Sequence, residues 1–113
     1  MSAMTDVAIT RIFDAPRETV YRAFADPDRL SKWSGPGVRA TVIEAVENDL
    51  LVGEEYSGDA VVRTRMEFHD QGDGRSRLVL TQGPCRPEIE AEAREAWSSS
   101  FARLDKLLSR ARR

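Results

Sequence analysis

The sequence predicts an α+β domain in which antiparallel strands are grouped together and helices flank them. Three observations carry this. Apolar residues recur with a period of two from residue 38 to residue 83. They recur at spacings of three and four from residue 87 to residue 110. Between the first strand and that strand-rich stretch, two short segments each begin with Pro, the residue suited to the first turn of a helix.

The first strand is predicted over residues 5–13, where Val7, Ile9, Ile12 and Phe13 fall in a β-branched run. Asp14-Ala15-Pro16 stops it. A helix follows over about 16–25, with Glu18 in its first turn and Val20, Ala23 and Phe24 on one stripe. Asp26-Pro27 opens a second short helix to about residue 32, leading to Trp33, and Ser34-Gly35-Pro36-Gly37 breaks it.

The strands come next. Val38, Ala40 and Val42 precede a turn at Glu47-Asn48-Asp49; Leu50, Val52 and Tyr56 follow it. From Val61 to Phe68 the alternation is clearest: Val62, Thr64, Met66 and Phe68 share one face, and Arg63, Arg65 and Glu67 the other. Gln71-Gly72-Asp73-Gly74 marks a hairpin loop, and Leu78 and Leu80 return on the buried side. Pro87 starts the longest helix, about 35 Å at 1.5 Å per residue. Its stripe runs through Ile89, Ala93, Trp97, Phe101, Leu104 and Leu108.

Composition narrows the function. The 113 residues allow one domain, residues 1–113. Seventeen basic residues against 19 acidic ones give a net charge of −2, and no basic face emerges, which argues against nucleic-acid binding. No apolar run reaches the roughly 20 residues of a membrane span, and no signal-peptide core follows Met1, so no membrane insertion and a cytoplasmic location are expected. Cys85 stands alone, so neither an internal disulfide nor a thiolate zinc site is expected. No cofactor, metal or catalytic residue is assigned.

The motifs resemble a known family. Arg11-Ile12-Phe13-Asp14-Ala15-Pro16 through Val20-Tyr21-Arg22-Ala23-Phe24 looks like the opening of the START-like, or Bet v 1-like (SRPBCC), superfamily. Asp26-Pro27 through Leu30 to Trp33 and Gly35-Pro36 resembles its Hsp90-ATPase-activator-homologue (AHSA1-like) branch. Asp49-Leu50-Leu51-Val52-Gly53 resembles the next motif of that branch, and Trp97, Phe101, Leu104 and Leu108 its C-terminal helix. The resemblance implies a helix-grip fold, a curved sheet wrapped on the long helix with an apolar cavity between them. It also implies binding of a small apolar, lipid- or polyketide-like molecule. The chain departs from the family in having room for about five strands rather than seven. A sheet short of a hairpin leaves an edge or a mouth uncovered, which points to a homodimer whose interface restores the missing wall.

On that resemblance the expected ligand-binding residues are Trp33, Tyr56, Met66, Phe68, Leu80, Trp97, Phe101 and Leu104. Each has a plainer reading as core, because a small domain needs its large residues for packing. Trp33 is either a gate at the cavity mouth or a plug on the adjoining turn. His69, the one histidine, sits by a hairpin edge beside Asp70, which points to the opposite face. Glu44 and Glu54 have inward-facing parity and, with Tyr56, would be the acid, base or anchor of an enzyme. Residues 44–59 carry six carboxylates and no base, either an acidic docking surface or a solvated hairpin. The leading expectation is ligand binding without catalysis. The alternatives are a polyketide cyclase- or dehydratase-like enzyme and a chaperone-associated or other protein-interaction module.

Overall fold

The computed structural model describes residues 4–26, 28, 29, 41–57 and 60–111. The expected helix before Trp33, and Trp33 itself, lie almost wholly outside the described residues. Five strands and two helices make up the rest: β1 (Thr5–Phe13), α1 (Arg17–Ala25), β2 (Thr41–Val46), β3 (Leu50–Ser57), β4 (Ala60–Gly72), β5 (Arg75–Cys85) and α2 (Pro87–Ala111). The strands form one antiparallel sheet in the order β1-β5-β4-β3-β2. This is the α+β helix-grip architecture, with a long C-terminal helix on a five-stranded sheet.

Local chemistry sets the connections. Pro16 stands just before α1 as its cap, and its carbonyl accepts from the amides of Thr19 and Val20 at 3.0 and 3.1 Å. Past α1, the Asp28 amide donates to the Asp26 carboxylate at 3.0 Å, the capping role expected of Asp26. Asn48 adopts a positive φ of 67° in the β2–β3 turn, a conformation asparagine tolerates better than most residues. The β4–β5 turn is tighter than expected. Asp73 and Gly74 have φ of 55° and 74°, the two consecutive positive values of a type I′ hairpin, so β4 runs on to Gly72 and the loop shrinks to two residues.

The two helices cover different parts of one sheet face. α1 packs on β4 and β5, and α2 lies along β1. The core sits between them. Phe13, Phe24, Phe68, Leu78, Leu80, Phe101 and Leu104 are buried there. Aromatic edges meet faces throughout: Phe13 on Phe101 at 5.6 Å, Phe24 on Phe68 at 5.8 Å, Tyr21 on Phe68 at 5.3 Å. The buried Ser76 hydroxyl donates to the Ala15 carbonyl at 2.9 Å and fixes β5 against the turn into α1.

β2 is the opposite edge, and neither described helix packs on it. All six of its residues are exposed, including Val42, Ile43 and Val46. Among the described residues β2 is thus the edge without cover.

Candidate functional site

Along α2 the inward stripe changes character. Phe101, Leu104 and Leu108 are buried, at 1%, 0% and 6% exposure. One and two turns toward the N-terminus, Trp97 and Ala93 are half-buried, and Ile89 is 37% exposed. The helix is held to β1 at this end: Arg94 donates to the Ala8 carbonyl at 2.8 Å, and Thr5 to Glu90 at 3.4 Å. A helix fastened over β1 at the sheet's edge does not pack on β4 and β3, which lie beyond β5. The interface is closed at one end and half-open at the other.

The sheet side of the half-open end follows from register. Residues directly opposite in an antiparallel pair share a face. Val7 lies opposite Gln82, Gln82 opposite Thr64, and Thr64 opposite Gly53, so all four face α2; Val62 and Glu55 oppose each other one step further out. Val7 is fully buried yet stands outside the main apolar cluster. Polar contacts occupy the space between. The Trp97 indole Nε1 donates to Gln82 Oε1 at 2.9 Å, and Gln82 Nε2 donates to Thr64 Oγ1 at 2.9 Å.

The expected ligand-binding residues divide accordingly. Met66, Phe68, Leu80, Phe101 and Leu104 are buried together in the closed end. Trp97 is at the boundary, its ring 5.5 Å from that of Phe101. The Tyr56 backbone takes the register position opposite Val61; its side chain, like Trp33, lies outside the described residues. Gln82 and Thr64 were not among the expected site residues. The signal existed: Gln82 continues the alternation of Leu78 and Leu80, so a polar amide occupies an inward position.

Two expectations are corrected. Glu54 opposes Arg63, on the face away from α2, and accepts a hydrogen bond from it at 3.1 Å. Glu44 opposes Val52, on that same outer face, because the β2–β3 register shifts between Val42 and Glu44. An irregularity of one residue moves a side chain to the other face. Glu55, one residue on, takes the inward place.

The remaining titratable groups are surface features. His69 Nε2 donates to Glu67 Oε1 at 3.1 Å, both half-exposed. That bond, and then one from Arg65, hold the Glu67 carboxyl below the ordinary carboxylate range. Arg11 pairs with Asp105 of α2 and lies over the Phe13 and Phe101 rings, 5.7 and 6.0 Å from their centres, which adds to the β1–α2 clasp. Arg17 pairs with Asp49, joining α1 to the β2–β3 turn. A shallow depression on the flank of α2 is lined by Pro87, Glu90, Ala91, Arg94, Glu95 and Ser98. One helix supplies its entire lining, so it encloses nothing. Among the described residues no group of His, Cys, Asp or Glu is arranged to hold a metal ion, and no helix is long and apolar enough to cross a membrane.

Against this geometry the comparisons with known proteins are specific. The model of the family described as activator of Hsp90 ATPase homolog 1-like protein matches residues 14–61. That match spans 48 of the 113 residues, and over them the chain is similar to the AHSA1-like family. Solved structures repeat this fold over nearly the whole chain. A Chromobacterium violaceum protein superposes with a TM-score of 0.77 at 21% identity, covering 91% of this chain and 96% of its own. A Plasmodium falciparum protein described as an HSP90 activator gives 0.76 at 14% identity, covering 95% and 97%. The solution structure of the Aha1 dimer from Colwellia psychrerythraea gives 0.75 at 14% identity, covering 90% and 94%. At such identities the likeness is one of fold. No curated protein sequence matches this chain.

Proposed function

We propose that this domain binds a small apolar molecule at the half-open end of the sheet–helix interface, without catalysis. The carrying observation is the change along the α2 stripe, from buried Phe101 and Leu104 to half-buried Trp97 and exposed Ile89. Apolar side chains partly open to water, beside a closed core, form a site that gains by burying a ligand. The outward placement of Glu44 and Glu54 removes two of the three groups an enzyme reading depended on. The test is titration with Nile red, a neutral apolar probe. Fluorescence enhancement that is lost when Ala93→Trp fills the gap supports the reading. No enhancement with the folded parent protein sinks it.

A second reading concerns β2. Among the described residues its edge is unpaired, and Val42, Ile43 and Val46 are 56%, 45% and 46% exposed. An apolar edge strand is a template for pairing with another chain. A relative of this fold is a dimer and another is described as an HSP90 activator; both favour a protein partner here, a second copy before any other. Sedimentation velocity of the parent and of Ile43→Lys tests it: a monomer at all concentrations for both removes the homodimer.

A further inference from the structure

The hydrogen bonds at the half-open end have only one self-consistent set of proton positions. An indole nitrogen donates and cannot accept. The atom it meets on Gln82 is therefore the carbonyl Oε1, and the amide Nε2 faces Thr64. An amide nitrogen in turn only donates, so Thr64 Oγ1 accepts. The direction of donation is fixed from α2 through β5 to β4, and the chain ends on the Thr64 hydroxyl proton. Among the described residues no acceptor takes that proton. Gln82 Nε2 carries a second N–H as well. Two donors are thus collected at one place on the inward face, with Val7 opposite Gln82, Val62 on the same face of β4 as Thr64, and Trp97 on the Gln82 amide.

The charges around them select among acceptors. Arg94 of α2 is engaged by the Ala8 carbonyl and by Glu90, and Arg11 of β1 by Asp105. The charged side chain facing inward beside Val62 is Glu55, a carboxylate. A ligand carboxylate placed here would meet neutral donors, no uncommitted cation among the described residues and a like charge, and would lose its hydration. A neutral carbonyl oxygen needs only the donors. We infer that the ligand is a neutral apolar molecule carrying a carbonyl acceptor, held by Thr64 and Gln82 with Trp97 fixing the amide of Gln82. This rests on the binding reading above and gives it a chemical class.

Three rigid probes of one shape decide it: 2-acetylnaphthalene, naphthalene and 2-naphthoate, each displacing Nile red from the protein at pH about 7.5, where naphthoate is ionised. The expected order is 2-acetylnaphthalene tightest, ahead of naphthalene by about fivefold, the worth of one net hydrogen bond, with 2-naphthoate weakest. Thr64→Val keeps the β-branched shape and removes the hydroxyl. It should weaken 2-acetylnaphthalene about fivefold and leave naphthalene unchanged. Gln82→Glu is the second variant: its carboxylate accepts from both Trp97 and Thr64, takes the spare proton, and should abolish the preference for the ketone. Naphthoate binding as tightly as the ketone, or a ketone affinity indifferent to Thr64→Val, overturns the carbonyl class while leaving the binding reading standing. If neither Nile red nor naphthalene binds the parent protein, the binding reading itself has failed and the class falls with it.

Discussion

Trp97 of α2 donates its indole proton to Gln82 of β5 across 2.9 Å, and this bond stands where the packed core ends and the half-open interface begins. Replacing Gln82 by Leu would leave the half-buried indole and the Thr64 hydroxyl without their shared partner. The expected cost is about 1–3 kcal/mol. Urea unfolding measures it; a change under about 0.5 kcal/mol means that water replaces the amide without loss.

Stability should follow the burial gradient of the α2 stripe. Phe101→Ala empties a site ringed by Phe13, Phe24 and Trp97 and should cost about 3–5 kcal/mol. Ile89→Ala, two-fifths exposed in the same stripe, should cost under about 1 kcal/mol. Equal costs in thermal or urea unfolding would mean that the N-terminal half of α2 is packed as firmly as the C-terminal half.

The β4–β5 turn tests backbone conformation free of sterics. A Cβ at Gly74 meets nothing within 4 Å, so its φ of 74° is the sole obstacle to a side chain. Gly74→Ala should cost about 1–2 kcal/mol, and Gly74→Asn distinctly less because asparagine tolerates the left-handed region. A Gly74→Ala midpoint equal to that of the parent refutes the turn geometry.

Acid should weaken the outer face of β4. Hydrogen bonds from His69 and Arg65 depress the Glu67 carboxyl in the folded state. A depressed acid contributes stability above its unfolded pKa and loses it as pH falls through the folded value. Glu67→Gln has no such proton to take up. Its urea midpoint should fall less than that of the parent between pH 7 and roughly pH 3.5. An identical fall in both proteins removes Glu67 from the acid response.

Much of the fold is legible in the sequence because the signals are local. The alternation from Val62 to Phe68 fixes which face of β4 is buried, and the structure buries Thr64, Met66 and Phe68 on that face. The period of α2 places Phe101, Leu104 and Leu108 against the core. The Asp-Gly pair marks the tightest hairpin, though not its two-residue length, which the φ angles of Asp73 and Gly74 set. The candidate site is less legible. Parity counting puts Glu54 inward, whereas pairing with Arg63 turns it outward. Counting from a turn fails wherever the register is set by the partner strand rather than by the turn.

By itself the sequence determines the described elements, their order and the apolar faces of β4, β5 and α2, since periodicity and turn chemistry act over a few residues. Tertiary structure alone decides that α2 is anchored to β1 by Arg94, that Trp97 and Ala93 of its N-terminal half are only half-buried, and that Gln82 joins Trp97 to Thr64. The residues of that relay lie on three elements, 15 and 18 positions apart along the chain. Their meeting depends on strand register and on where one helix rests, and neither is written in the spacing of any single segment.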